Sequence, residues 1–505
     1  MPNPEQIQEA RRQLYEHFGY SSFRPAQEAL IGALLDGRDV LGIMPTGAGK
    51  SMCYQIPALL LPGITLVISP LISLMQDQVR ALKAAGIAGA YLNSSLTYRQ
   101  YRKALDNARM GMYKIIYVAP ERLGTEEFQA FVHSVEISMV AVDEAHCVSQ
   151  WGHDFRPSYM EIAPFVAGLS RRPPLAAFTA TATPAVKNDI LGHLRLRNPE
   201  VQVTGFDREN LMFRVLRPQD KMAALLEFLR QRREDSGIVY CSTRKQVERV
   251  TEQLKGQGIQ AAGYHAGMEE QERRENQNQF LYDRIRVMVA TNAFGMGIDK
   301  QNVSFVVHYN MPKNLEAYYQ EAGRAGRDGA PAECLLLYGP GDVHTAEFLI
   351  RASQEGQDPR TAQTRMQMEM EKLDRMKEYC FTSGCLRHYL LEYFGQDSPL
   401  RCGHCGNCTA RANIFAALKA GPKAKEERTL YDMLRSVRTD FADRADLPPE
   451  LIFSDRTLQE MAAQRPANEY DMMQIPGVSP VKYQMYGKTF LKVIQRNSHR
   501  RSGVE

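Results

Sequence analysis

Leu41-Gly42-Ile43-Met44-Pro45-Thr46-Gly47-Ala48-Gly49-Lys50-Ser51 decides how the rest of this chain is read. An apolar, strand-like lead over residues 39–44 enters a loop whose Gly47 and Gly49 let backbone N–H groups face phosphate oxygens. Thr46 shares that loop, Lys50 supplies a point charge and Ser51 a hydroxyl for magnesium. The strict pattern asks for glycine at its first position, which falls here on Met44 or Pro45, but the Gly-x-Gly-Lys-Ser core is intact. Alone, this stretch also reads as a glycine turn before a helix. A second stretch decides between the two: Met139-Val140-Ala141-Val142-Asp143-Glu144-Ala145-His146 is an apolar strand ending in paired carboxylates. Asp143 suits holding magnesium through water, and Glu144 suits polarising the attacking water. Together they point to ATP hydrolysis.

A chain of 505 residues, 44% of them apolar, predicts several domains with more than one core. No charge-free apolar run reaches membrane-spanning length, and an N-terminus carrying Glu5, Gln6 and Glu9 lacks a secretory pattern, so a soluble cytoplasmic protein is expected. A net charge of +4 is too small to diagnose a polyanion partner. The nine cysteines are uneven. Cys53, Cys147, Cys241 and Cys334 stand singly, while Cys380, Cys385, Cys402, Cys405 and Cys408 crowd together, as suits a reducing compartment and one thiolate metal site.

Upstream of the loop, residues 15–20 read as a helix end stopped at Gly19, followed by Phe23-Arg24-Pro25-Ala26-Gln27 and a helical run over 28–35. The Gln27 amide can donate and accept, so it suits the adenine edge with Arg24 in support; helix capping is the competing reading. Strands are expected over 64–69, 115–118, 139–142 and 175–178, the last leading into Thr179-Ala180-Thr181-Ala182-Thr183, with a helix over 71–84. That is a parallel αβ sheet with its chemistry at strand ends. Directly after the carboxylates comes Val148-Ser149-Gln150-Trp151-Gly152-His153-Asp154-Phe155-Arg156-Pro157. Trp151, Phe155 and Arg156 there suit a mobile loop touching nucleic acid and coupling it to hydrolysis, against the alternative of a packed structural loop.

A second αβ unit is expected from residue 206, with strands over 237–240, 259–264, 285–290 and 303–308 and a helix over 242–254, but without a phosphate loop. It carries Gly295-Met296-Gly297-Ile298-Asp299 and then Gln320-Glu321-Ala322-Gly323-Arg324-Ala325-Gly326-Arg327-Asp328-Gly329. Arg324 and Arg327, three apart in a glycine-broken segment, suit fingers on phosphates held by the first unit; a surface charge run is the alternative. Residues 363–394 read as helical with a break at 382–384, where Cys385 stands. Cys402-x-x-Cys405-x-x-Cys408 follows, and three knuckle thiolates plus one helical one satisfy tetrahedral zinc. Cys380 and His404 are substitutes, His404 discounted because it fills a spacer, and an iron–sulfur cluster is the competing metal. After a charged linker, helices are expected over 430–441, 455–463 and 481–493. Lys482, Lys488, Lys492, Arg496, Arg500 and Arg501 make that end basic, to meet phosphate or simply as a solvated face.

In order and wording these motifs resemble the RecQ family of superfamily-2 DNA helicases. The run from Phe23 to Gln27, the phosphate loop, Ser69-Pro70-Leu71, Ala119-Pro120-Glu121-Arg122-Leu123, the carboxylates with the aromatic loop, Thr179-Ala180-Thr181 and the two glycine-bearing segments of the second unit carry it, strongly over residues 8–410. The resemblance implies two RecA-like lobes, 1–205 and 206–345, a zinc-binding subdomain over 346–412, a linker over 413–428, a helical HRDC-like domain over 429–497 and a basic tail over 498–505. It implies 3′-to-5′ translocation on single-stranded DNA and unwinding of duplex or branched DNA in repair and recombination, with single-stranded-DNA-binding protein as a partner and a nucleoid-associated location. Gln27 would then read adenine, Lys50 and Ser51 hold phosphate and magnesium, Asp143 and Glu144 carry metal and water, and Arg324 and Arg327 complete the site. Cys385, Cys402, Cys405 and Cys408 would hold zinc, leaving Cys380 a packed thiol. One departure stands out: the family commonly inserts a winged helix of roughly a hundred residues after the zinc site, whereas Cys408 and Leu430 lie about twenty residues apart. Two rival functions therefore stay open, an RNA helicase and a DNA translocase or annealing factor with little unwinding.

Overall fold

The computed structural model of the chain describes residues 3–152, 154–294, 300–353, 359–410, 430–445 and 447–502. It divides into two compact units, Met1–Gly205 with Lys425–Glu505, and Phe206–Ala424. In the first unit the strands are β1 (Val40–Ile43), β2 (Ile64–Ile68), β3 (Gly89–Leu92), β4 (Ile115–Val118), β5 (Ile137–Val142), β6 (Leu175–Thr179) and β7 (Glu200–Val203). They form one sheet in the order β3-β4-β2-β5-β6-β1-β7, every pair parallel. Central strands such as β1 and β6 are buried throughout, which is why they read as unbroken apolar runs. The edge strands β3 and β7 gave no such run, because each has partly exposed positions and includes Gly89 or Glu200.

Asp39 fixes where β1 begins. Its buried carboxylate accepts from Arg172 at 2.6 Å and from the backbone N–H groups of Leu175 at 2.9 Å and Arg197 at 2.6 Å, joining the approaches to β6 and β7. A carboxylate this buried costs several kcal/mol unless paired, so the pairing specifies register. Gly42 lies under Phe178, whose ring would be 2.7 Å from a Cβ there.

The small helical domain belongs to this first unit. Helices Leu430–Ala445, Asp455–Gln464 and Lys488–Ser502, with shorter turns between, enclose Leu434, Phe453, Leu458 and Phe490. Its last element departs from the single helix expected over 481–493. Pro480–Lys482 passes into a widened turn, Tyr483–Gly487, before Lys488–Ser502, and only a glycine at 487 leaves room for the Tyr483 ring, 2.5 Å from where a Cβ would stand. Pro480–Lys482 packs on the helix Pro4–Phe18, and Pro449–Ile452 packs on Ile72–Ala84. Gly19, the left-handed cap of Pro4–Phe18, has φ 75°, and a Cβ there would lie 2.8 Å from the Val478 carbonyl carbon. Lys482 consequently does not join a solvated basic face. It is half-buried on the packed turn, and burial pushes its ammonium down to about 8. Lys488, Lys492 and Arg496 are exposed at successive four-residue steps of the last helix.

The second unit holds β8 (Leu211–Leu216), β9 (Gly237–Tyr240), β10 (Ala261–Tyr264), β11 (Val287–Ala290), β12 (Phe305–His308) and β13 (Ala332–Leu337), all parallel, in the order β10-β11-β9-β12-β13-β8. Two of these strands, β8 and β13, were not expected. Each carries a charge, and those charges meet: Arg214 of β8 pairs with Glu333 of β13, which also pairs with Arg232 from outside the sheet. The helices Pro359–Phe381 and Leu386–Tyr393 follow, and Leu373, Met376, Tyr379 and Cys380 are buried in the same core as β8 and β13. Gly295 to Asp299, the linker and Arg500 and Arg501 lie outside the residues whose side chains are described. Among the described residues no helix is long and apolar enough to cross a membrane.

Candidate active site and metal centre

Three of the sequence-derived motifs leave adjacent strands at one edge of the first sheet. β1 ends in the phosphate loop, β5 in Asp143-Glu144, and β6, which lies between them, in Thr179-Ala180-Thr181. Parallel strands present their carboxyl ends together, so residues a hundred positions apart share one crevice. The loop between Met44 and Met52 turns on Gly47 (φ 83°) and Gly49 (φ 80°), conformations that cost other residues free energy. Lys50 Nζ donates to the Met44 carbonyl at 3.0 Å, across the loop. Ser51 directly precedes the helix Met52–Leu60, and its side chain makes no capping hydrogen bond to it.

Gln27 is buried against this loop. Its Nε2 donates to the Ala48 and Gly49 carbonyls at 3.1 and 3.3 Å, and its Oε1 accepts from the Arg24 backbone N–H at 3.0 Å. Arg24 reaches the Gly47 carbonyl at 3.5 Å. The Gln27 amide thus caps its helix and braces the phosphate loop at once, so the capping and ligand-reading assignments are not exclusive.

Beside the loop, burial and the neighbouring Glu144 carboxylate push Asp143 up to about 7, against the opposing pull of Lys50. Two adjacent carboxyls with one ammonium make a pocket that a divalent cation relieves, which is the charge environment of a magnesium site. Asp143 is held by its own chain: its Oδ1 accepts from the Glu144 N–H at 3.0 Å, and the Tyr159 hydroxyl donates to its carbonyl at 2.9 Å. Glu144 has φ 50°, an unfavourable left-handed conformation for this residue. His146 connects β5 to β6. Its Nδ1 lies 2.8 Å from Thr179 Oγ1 and 3.3 Å from Glu144 Oε2. Since the Thr179 hydroxyl donates to the Thr181 carbonyl, it accepts from Nδ1–H, which assigns the neutral tautomer. Complete burial pushes His146 down to about 4.

The aromatic loop is tied at both ends. Ser149 Oγ donates to Asp189 at 2.6 Å and accepts from the Trp151 N–H at 3.1 Å, while the Arg156 N–H donates to the Cys147 carbonyl at 2.9 Å. Arg156 turns inward, donating to the Pro70 carbonyl at 2.8 Å and pairing with Asp154 at 3.0 Å. Trp151 remains 49% exposed and Phe155 half-buried; His153 lies outside the described residues. A Cβ at Gly152 would be 2.5 Å from the His146 carbonyl oxygen, so the loop passes over the carboxylate segment with no room to spare.

In the second unit, Arg324 is buried and Arg327 half-buried, just past the helix Leu315–Ala322. Sequence reasoning missed what supports them: Arg208 and Asn210 bond carbonyls of this segment, and Arg387 in turn bonds the carbonyl of Arg208, all from positions far away in the chain.

Cys385, Cys402, Cys405 and Cys408 bring their sulfurs within 4.8 Å of one another. A tetrahedron with metal–sulfur bonds of about 2.3 Å has edges of about 3.8 Å, and the Cys385–Cys405 separation is 3.8 Å. Backbone N–H groups of His404 and Cys405 donate to the Cys402 sulfur at 3.3 and 3.2 Å, which favours its thiolate. The four thiols therefore fit zinc. Cys380 is buried elsewhere in the core and is not part of the cluster.

Four family models match, in chain order: DEAD/DEAH box helicase over residues 24–189, helicase conserved C-terminal domain over 220–329, RecQ zinc-binding over 340–409 and HRDC domain over 427–494. The chain is 38% identical to the ATP-dependent DNA helicase RecQ of Bacillus subtilis, covering 97% of this chain and 99% of that protein, and 35% identical to that of Haemophilus influenzae over 95% and 94%. The first alignment spans 590 positions, more than the 505 residues of this chain, so at least 85 of them have no counterpart here. Of solved structures, Mycobacterium smegmatis helicase Lhr bound to ssDNA and AMP-PNP shares the fold at TM-score 0.55 and 15% identity, over 90% of this chain and 73% of that one. Yeast Dbp5 bound to RNA and ADP BeF3 shares it at 0.54 and 17%, over 74% and 98%. With relatives this similar end to end, and with its zinc-binding and HRDC regions matched, the chain belongs to the RecQ family of superfamily-2 DNA helicases.

Proposed function

We propose that this chain is an ATP-dependent DNA helicase that moves 3′ to 5′ on single-stranded DNA and opens the duplex ahead. The observation that carries the reading is the shared sheet edge, where the phosphate loop and the paired carboxylates leave strands separated by one neighbour. In this reading Lys50, with Thr46, Gly47 and Gly49, holds the phosphates of ATP, and Ser51 and Asp143 hold magnesium. Glu144 takes the proton of the attacking water, and Gln27 with Arg24 meets the adenine. Arg324 and Arg327 neutralise charge that develops on the transferred phosphate. Trp151 and Phe155 meet DNA, and Arg156 carries their displacement to Pro70 and the carboxylate segment. Zinc, when bound, supplies a crosslink and no chemistry of its own. The substrates are single-stranded and duplex or branched DNA, coated in part by single-stranded-DNA-binding protein, and a four-thiol site suits the reducing cytoplasm.

A second reading rests on one specific observation. The zinc-binding and HRDC matches leave only residues 410–426 between them, too few for the hundred-residue winged helix common in the family. A translocase or annealing factor would need no such module. Strand displacement on matched 3′-tailed and 5′-tailed duplexes, with and without ATP, decides. Displacement from the 3′ tail is expected. Preference for the 5′ tail defeats the polarity, and DNA-stimulated ATPase without displacement on either substrate favours the second reading. Stronger stimulation by RNA than by DNA would make it an RNA motor.

A further inference from the structure

We infer that Arg208, Asn210 and Arg387 are positioning residues for ATP hydrolysis: they mount the segment bearing Arg324 and Arg327 on the first helix after the zinc ligand Cys385. The inference rests on the reading of those two arginines as phosphate-facing.

The helix Leu315–Ala322 ends just before Arg324, and carbonyls past a helix end need partners from elsewhere. Arg208 supplies them. One guanidinium nitrogen donates to the Gly323 carbonyl at 2.8 Å, and another donates to Ala325 at 3.0 Å and Gly326 at 2.5 Å. Asn210 adds bonds to the carbonyls of Gly326 at 2.9 Å and Ala330 at 2.8 Å. The bonded carbonyls at 323, 325 and 326 flank Arg324 and run up to Arg327. Gly326 has φ 59°, and a Cβ there would come 2.4 Å from Asn210 Nδ2, so the clasp requires glycine. A cation at a helix C-terminus is favourable in any case.

Arg208 and Asn210 are themselves held. The buried Arg387 pairs with the Asp207 carboxylate and donates to the carbonyls of Arg208 at 2.9 Å, Glu209 at 3.3 Å and Leu211 at 2.5 Å, straightening the chain into β8. Arg387 lies two residues after Cys385, which caps the helix Leu386–Tyr393. Phe394, beyond that helix, stacks on Phe206 at 4.7 Å, and Tyr319 of the helix Leu315–Ala322 donates to the Phe206 carbonyl. A planar five-donor fork is the group that can span several carbonyls at once, a task a lysine ammonium cannot reproduce. The zinc knuckle, the strand entry and the arginine segment are therefore one hydrogen-bonded body within this unit.

The test uses the full chain with Arg208→Lys, Asn210→Ala and Arg387→Lys, beside Arg327→Ala. Amide exchange over residues 320–329, zinc content, ATP KM and DNA-stimulated kcat are measured on each. Expected for the three positioning variants are exchange at least about fivefold faster in that segment, a kcat lower by about 10- to 100-fold, ATP KM within about twofold and zinc unchanged. Arg327→Ala should lose rate with exchange unaltered. Unchanged exchange in all three variants overturns the mount. Faster exchange with normal kcat, while Arg327→Ala loses its rate, overturns the catalytic role. An Arg327→Ala chain that keeps its rate locates the failure in the arginine reading instead, and removes the inference with it.

Discussion

Glu144 combines a left-handed backbone with a mostly buried carboxylate 3.3 Å from His146 Nδ1, and it gives the sharpest single-residue prediction. Glu144→Gln keeps the shape and the Asp143 carboxylate but removes the base, so ATP binding should persist while turnover falls about 10²-fold or more. Equilibrium nucleotide binding beside steady-state ATPase checks this, and near-normal turnover would strip Glu144 of the role. His146 makes a pH prediction. Burial lowers its folded-state pKa to about 4, so the unfolded chain takes up a proton below the ordinary value near 6.5 and the folded chain does not. Its contribution to stability is complete above about pH 6.5, is lost progressively as pH falls, and is gone near pH 4. The full span is on the order of 3 kcal/mol. Denaturant melts of the parent and His146→Asn across pH 4–7 should therefore show a shallower pH slope in the variant; equal slopes would mean that another group carries the effect.

At the scale of elements, the aromatic loop and the zinc knuckle each hang on a few contacts. Trp151 is exposed although the loop around it is tied down, which separates a recognition surface from its support. Trp151→Ala with Phe155→Ala should reduce stimulation of the ATPase by single-stranded DNA and leave the basal rate intact, with losses of roughly 1–3 kcal/mol per stacked base. Undiminished stimulation would return the loop to packing. In the knuckle, four sulfurs lie within 4.8 Å of one another, so metal analysis should find about one zinc per chain. Cys405→Ser should lose it, and Cys380→Ser, which touches only core, should not. Stoichiometric iron, or zinc loss from Cys380→Ser, would overturn the ligand set.

For the molecule as a whole, the docked helical domain sets the expectation. Its turn Pro480–Lys482 lies on the helix Pro4–Phe18, and Val481 Cγ1 would be only 3.2 Å from a Cβ at Gly86. Val481→Asp puts a carboxylate into that contact, where desolvation disfavours it. Amide exchange along Pro4–Phe18 and Ile72–Ala84 should quicken, while the sheet strands keep their protection and DNA-stimulated ATPase largely remains. Unaltered protection of both helices would show that the contact does not hold the domain. The exposed series Lys488, Lys492 and Arg496 stays available to phosphate in either case, so its effect should appear as salt-dependent affinity for DNA.

The amino-acid sequence alone determined the chemistry that is contiguous. A glycine loop ending in Lys50 and Ser51, a strand ending in Asp143 and Glu144, and a cysteine knuckle are each written in a few successive residues, because backbone geometry over one turn brings their groups together. The central strands were legible for a related reason: strands buried on both faces must be apolar throughout. Edge strands with partial exposure, such as β3 and β7, carried no such signal. Only the tertiary structure decided that Gln27 braces the phosphate loop, that Lys482 is packed rather than solvated, that Arg208 and Asn210 bond the carbonyls around Arg327, and that Arg387 holds the chain bearing those two residues. Those side chains act across more than twenty, and in part more than a hundred, positions. No local pattern distinguishes an arginine that will spend its donors on distant carbonyls from one that will face water, because that choice is made by the sheet order that brings the carbonyls within reach.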